Sequence, residues 1–124
     1  MKRVLIVDDA STVRMYHRDI LEKIGFAVEE AENGIEALEK SLLTPFDLFL
    51  VDVNMPKMDG YRFLEEVRQR TELQHIPAIM ISTEEQELDK EKAYLAGANF
   101  YQVKPADPIA LQHYVELLAG GSNP

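Results

Sequence analysis

Five short apolar runs recur along the chain, each followed by a longer segment of helical period. The runs are Val4-Leu5-Ile6-Val7, Phe26-Ala27-Val28, Leu48-Phe49-Leu50-Val51, Ala78-Ile79-Met80-Ile81 and Phe100-Tyr101-Gln102-Val103. Three of them carry almost no polar residue, the pattern of strands covered on both faces of a parallel sheet. The second run meets Glu29-Glu30 at once and reads as an edge strand. Five strand–helix units in 124 residues predict an α/β fold, a doubly wound five-stranded parallel sheet with five helices. Right-handed crossovers place those helices on both faces. A single domain is expected over residues 1–120, with residues 121–124 as a tail.

The helices have legible ends. Ser11 or Thr12 is expected to cap the first, whose apolar positions are Val13, Tyr16, Ile20, Leu21 and Ile24, with Gly25 closing it. Asn33-Gly34 opens the second, which carries Ile35, Leu38 and Leu42. Asp59 is placed to cap the third, with Phe63, Leu64 and Val67 inward. The fourth spans about Glu85 to Ala96 before Gly97; its thin stripe, Leu88, Lys92 and Leu95, predicts weak burial. Asp107-Pro108 starts the fifth in cap-then-proline order, and Gly120 ends it.

Composition removes several functions. The chain has 22 acidic and 13 basic residues, a formal net charge of −9. That surplus repels nucleic-acid phosphate and anionic lipid, so neither DNA nor membrane is an expected partner. With no cysteine, a disulfide scaffold, a thiolate metal site and a cysteine nucleophile are excluded. No apolar run approaches the ~18 residues of a membrane span. The expected location is the cytoplasm. His17, His75 and His113 are scattered, none at metal-ligand spacing, and all three are expected at the surface.

Chemistry gathers at the strand ends. Asp8-Asp9 follows the first run, Asp52 the third, Ser82-Thr83 the fourth and Lys104-Pro105 the fifth. Ligands of open α/β sheets bind outside the carboxyl ends of strands. Two carboxylates about 5 Å apart repel by about 3 kcal/mol at an effective dielectric of about 20. Such a group either titrates upward or holds a cation. Oxygen ligands alone select a hard ion such as Mg²⁺. A magnesium ion, a carboxylate nucleophile, a hydroxyl and an ammonium are the parts of phosphoryl transfer through an aspartyl phosphate.

The ordered set Asp8-Asp9, Asp52, Ser82 and Lys104-Pro105 resembles the receiver domain of two-component response regulators. The segment Val51-Asp52-Val53-Asn54-Met55-Pro56-Lys57-Met58-Asp59-Gly60 is similar to that family's phosphoacceptor segment, and the resemblance runs from about Lys2 to Ala119. Within the family the chain is most similar to stand-alone regulators of the chemotaxis type. The resemblance implies a flavodoxin-like sheet of order 2-1-3-4-5. It implies that Asp52 is phosphorylated by a histidine kinase or phosphotransfer protein. It assigns Mg²⁺ to Asp9, Asp52 and the backbone carbonyl of Asn54, with Asp8 acting through water. Lys104 would pair with the phosphoryl oxygens, after a cis Lys104–Pro105 bond. Ser82 would move to the phosphoryl group and Tyr101 into the vacated space. This changes the face of the fourth helix, fifth strand and fifth helix, which meets a downstream protein, for instance a flagellar motor component. The chain is expected to dephosphorylate itself, and to be a monomer, with a phosphorylation-dependent dimer as the alternative.

Departures from the family pattern are modest. Ser stands at 82 where Thr is commoner, and Thr83 stands where a smaller residue is usual, at the mouth of the site. Three other functions compete: a Mg²⁺-dependent phosphatase with an aspartate nucleophile, a flavin-binding domain and a phosphorylation-independent interaction module. The phosphatase type usually carries Asp-x-Asp after its first strand, whereas this chain has Asp8-Asp9-Ala10. A flavin site would want a hydroxyl-rich phosphate loop where Asp8 and Asp9 stand. An interaction module could drop the acidic residues, yet all are kept.

Overall fold

A strand covered by helices on both faces has little room for polar residues, and three strands here carry them only at one end. The computed structural model describes residues 1–120, so the expected tail at 121–124 lies outside the described residues. The elements are β1 (Arg3–Val7), α1 (Ser11–Glu22), β2 (Ala27–Ala31), α2 (Gly34–Leu43), β3 (Leu48–Asp52), α3 (Gly60–Gln69), β4 (Ala78–Ser82), α4 (Glu87–Ala96), β5 (Phe100–Val103) and α5 (Pro108–Ala119). All pairings are parallel and the order is β2-β1-β3-β4-β5. The three nearly continuous runs are the three inner strands, and β2 lies at an edge.

Alternation along these strands builds two cores. Leu5, Val7, Phe49, Val51 and Met80 meet Phe63, Leu64 and Val67 of α3, Ala37 of α2 and Ala93 of α4. Val4, Ile6, Leu48, Leu50, Ile79 and Ile81 meet Ile20 and Leu21 of α1 and Leu111 and Val115 of α5. The side chains of α3 fall where the sequence period puts them, and α5 buries Leu111, Val115 and Ala119. Asp59 caps α3 by accepting from the Arg62 N–H, and Asp107 caps α5 from the Ala110 N–H.

Five local expectations are corrected. β2 runs on through Glu29 and Glu30 to Ala31, because an edge strand leaves charged side chains room to meet Arg3, Arg14 and Arg18. Neither Ser11 nor Thr12 caps α1; the cap position is Ala10, whose own N–H donates to Asp8 Oδ1 at 2.9 Å. Tyr16 is not core either: it is exposed, and its hydroxyl donates to the Ala106 carbonyl at 2.8 Å. In α2 the buried residues are Gly34, Ala37 and Ser41, while Ile35 and Leu42 face outward. In α4, which begins at Glu87, Ala93 and Ala96 are buried, whereas Leu88 is 58% and Leu95 88% exposed. Small residues win at both interfaces because the helix backbone lies close to its neighbours. A Cβ on Gly34 would stand 2.8 Å from the Met58 carbonyl oxygen.

One end of α4 is tied firmly. The Arg68 guanidinium donates to the Gly97 carbonyl at 2.8 and 3.0 Å and to the Ile76 carbonyl at 2.6 Å. The start of the helix has no side-chain cap.

The sharpest steric demand lies beside the end of β3. Gly60 donates its N–H to the Val53 carbonyl at 2.9 Å, and a Cβ there would lie 2.2 Å from the Asp52 carbonyl oxygen. That atom is backbone and cannot rotate away. Gly60→Ala is therefore expected to cost about 2–3 kcal/mol, in the upper range of overpacking. Urea unfolding should show a lower midpoint at unchanged slope; an unchanged midpoint would mean that α3 moves aside freely.

Candidate functional site

Parallel strands all end on the same rim, and the inner strands plus β5 deliver their polar residues there. Asp8 follows β1, Asp52 and Ser82 are the last residues of β3 and β4, and Lys104 follows β5. The winding reverses between β1 and β3, which leaves the crevice where α/β sheets bind ligands.

Asp8 is buried and engaged on every side. Its N–H donates to the Ala31 carbonyl at 3.0 Å. Oδ1 takes the Ala10 N–H, Oδ2 lies 2.8 Å from Lys104 Nζ, and its carbonyl receives Arg14 Nη1 at 2.6 Å. Arg14 Nε in turn lies 2.7 Å from Glu30 Oε1, and Arg18 Nη1 lies 2.6 Å from Glu30 Oε2. The two hydrogen bonds outweigh burial and hold Glu30 below the usual carboxylate range. This clamp between α1 and the edge strand was missed in the sequence. Its signal is present there: Arg14 and Arg18 are one helical turn apart, and the acids follow the second apolar run.

Asp52 is only 6% exposed. Lys104 Nζ lies 2.8 Å from its Oδ1, so one ammonium spans Asp8 and Asp52. Asp9 is exposed at the mouth. Asp8, Asp9 and Asp52 each bring a carboxylate oxygen within 4.8 Å of the others. Burial pushes the Asp52 carboxyl up; the Lys104 hydrogen bond opposes this, and the charges of Asp8 and Asp9 add to it. Burial pulls the Lys104 ammonium down, but its bonds to Asp52 and Asp8 prevail and leave it raised. One ammonium cannot neutralise three carboxylates. The donor set is oxygen only, with one carboxylate at the solvent side, which fits a hard, partly hydrated cation such as Mg²⁺. Asn54 is exposed two residues beyond Asp52 and its side chain is not part of the acid cluster.

Ser82 is buried, and its Oγ accepts the Glu84 N–H at 3.2 Å. The Tyr101 hydroxyl donates to the Glu84 carbonyl at 2.7 Å. Glu84 thus touches both residues, Ser82 through its N–H and Tyr101 through its carbonyl. Tyr101 is half-buried against the core beneath α3 and α4. The Lys104–Pro105 peptide is cis. The residues expected at the site come together, Asn54 and Tyr101 at its margins.

His17 corrects the sequence reading. It is 1% exposed, and neither ring nitrogen has a hydrogen-bond partner among the described residues. His75 and His113 are exposed as expected. Burial, opposed by Asp8 and reinforced by Lys104, pulls the His17 imidazole down from 6.5 to about 4.

Comparison with known proteins is consistent across sequence and fold. The model of the response regulator receiver domain matches residues 4–116. Chemotaxis protein CheY1 of Helicobacter pylori is 38% identical over 120 residues, 95% of this chain and 97% of that protein. The structure of chemotaxis protein CheY4 of Vibrio cholerae superposes with a TM-score of 0.89 at 35% identity, over 95% of this chain and 98% of that one. The receiver domain of sensor histidine kinase PA1611 of Pseudomonas aeruginosa PAO1 gives a TM-score of 0.89 at 26% identity, over 97% and 98%. That structure has a magnesium ion coordinated in its active-site cleft.

The buried imidazole has a measurable signature. The unfolded chain takes up a proton near pH 6.5 that folded His17 refuses until about pH 4. Stability must therefore fall as pH drops through that window. His17→Leu should remove this share, gaining up to about 3 kcal/mol over wild type at the acid end and much less at pH 7. Urea titrations of both proteins between pH 7 and 4 test it; parallel stability curves would remove the imidazole as their cause.

Proposed function

The chain belongs to the family of response regulator receiver domains, and from that premise we propose that Asp52 accepts the phosphoryl group. Receiver domains of this type work in two-component signalling, and this chain is a signalling domain of that kind. The observation that carries the proposal is the buried Asp52 carboxylate beside Lys104, with oxygens of Asp8 and Asp9 close by.

In the proposed step an Asp52 carboxylate oxygen forms a bond to phosphorus as the phosphorus–nitrogen bond of a donor phosphohistidine breaks. The bonding pair returns to the donor imidazole. Asp9, Asp52 and the Asn54 carbonyl would hold Mg²⁺, with Asp8 bound through water; the ion supplies neutralisation of phosphoryl charge. Lys104, close to both carboxylates, turns its ammonium to the incoming oxygens. Water later attacks the phosphorus, its bond to the Asp52 oxygen breaks, and inorganic phosphate leaves with the carboxylate restored. Thr83, exposed at the mouth, narrows the approach of that water.

Phosphorylation draws the Ser82 hydroxyl toward the phosphoryl oxygens. The Glu84 backbone, bonded through its N–H to Ser82 and through its carbonyl to Tyr101, carries the change to Tyr101. The face of α4, β5 and α5 is then remade for a downstream protein. Among the described residues no helix is long and apolar enough to cross a membrane. The proposed partners are a histidine kinase or phosphotransfer protein and a protein target. The proposed setting is the cytoplasm of a chemotaxis-type pathway, with the chain acting as a monomer.

Two measurements test this. Incubation with Mg²⁺ and acetyl phosphate should add one phosphoryl group by intact mass, and Asp52→Asn should abolish the adduct without loss of fold, since the amide relieves repulsion from Asp8 and Asp9. An adduct that survives the substitution places the acceptor elsewhere. Tyr101→Phe should take up label like wild type but show smaller phosphorylation-induced amide shifts over α4, β5 and α5. Equal shifts would remove the hydroxyl from the switch.

A further inference from the structure

Beside the carboxylate rim lies a cleft of about 630 Å³, on the side of the sheet covered by α1 and α5. Thr12, Val13, Tyr16 and His17 of α1 form one wall. Thr83, Lys104 and Pro105, from the loops after β4 and β5, form the other. Its volume falls within the roughly 300–1,000 Å³ of small-molecule sites. The lining is largely apolar, and it contains a side chain that a packed core would not leave as it stands. His17 is 1% exposed with both nitrogens unpaired among the described residues, an unfavourable state for a buried polar group. Gln102 Oε1 is a second buried acceptor without a partner among the described residues. Strand alternation turns it to the same sheet face as Phe100, which packs with the α1–α5 core.

We propose that this cleft binds a small, neutral aromatic molecule carrying one hydrogen-bonding group. Val13, Tyr16 and Pro105 suit the ring. The imidazole, neutral because burial pulls it down to about 4, offers one N–H donor and one bare nitrogen. Charge excludes the alternatives. An anion would meet the rim carboxylates while Lys104 is already paired to Asp8 and Asp52. A cation would be drawn instead to the acids of the rim, which one ammonium does not neutralise, and away from this largely apolar wall. The inference goes beyond the phosphorylation reading and does not depend on it.

Benzamide and toluene are the probes, added to ¹⁵N-labelled, unphosphorylated protein and followed by amide shifts. Benzamide is expected to saturate at millimolar concentration with shifts confined to Thr12, Val13, Tyr16, His17, Thr83 and Lys104. Toluene, which has the ring without the polar group, should bind about tenfold more weakly, the loss of about one hydrogen bond. His17→Leu should weaken benzamide by about the same factor and leave toluene unchanged. Thr12→Trp, which keeps His17 and fills the mouth, should abolish both. Shifts that fail to saturate, that scatter elsewhere, or that follow protein concentration as they would for a second copy, overturn the proposal. So does a His17→Leu protein that binds benzamide as wild type does. Phosphoryl acceptance at Asp52 is read separately, so either result leaves it standing.

Discussion

A single ammonium holds the rim together. Lys104 Nζ lies 2.8 Å from both Asp8 and Asp52, and these acids come from the ends of two neighbouring inner strands. Without a positive charge between them, their repulsion would spread the crevice that the sheet creates. With it, the carboxylates are held at a spacing suited to a divalent ion, while Asp9 stays open to solvent. The arrangement is compact but undercharged, which is why burial and neighbouring acids raise Asp52 despite the lysine.

That interaction joins residues 96 apart in sequence, and it depends on the strand order. β5 lies two places from β3 and three from β1, so the lysine must reach back across the end of β4. Lys104 is placed to do so by its own N–H, which donates to the Ser82 carbonyl at 2.7 Å. The opposite side of the rim is fixed by Arg14, which ties the Asp8 carbonyl to Glu30. The site is thus braced from both ends of the sheet. The helix termini contribute through Gly60, whose bare Cα lets α3 start against the Asp52 carbonyl.

Most of this architecture was legible because strong signals coincide in the sequence. β1, β3 and β4 are apolar except at one end and also inner; α3 has a cap residue and a bulky inward stripe, and α5 has a cap-then-proline start. The strand-end acids, Ser82 and Lys104 followed from those runs without any knowledge of distance. The failures have separate causes. α2 and α4 bury Ala37, Ser41, Ala93 and Ala96, whose small side chains carry little hydrophobic signal yet permit close packing. Leu42 and Leu95 carry more signal and face water. His17 was read as a surface residue because an imidazole is polar by composition; only the fold shows it buried on the α1 face. The bracing of Asp8 by Arg14 and Glu30 needs β2 in register beside β1, which periodicity does not supply.

The uneven anchoring of α4 governs what kind of motion it can make. Arg68 grips the carbonyl at Gly97, and Ala93 and Ala96 seat that end on the core, while the uncapped start follows the loop from Ser82. A rod pinned at one tip can swing but cannot slide. A displacement at the strand end would therefore become a tilt, larger at Leu88 than at Ala96, and a molecule resting along the helix would sense its angle.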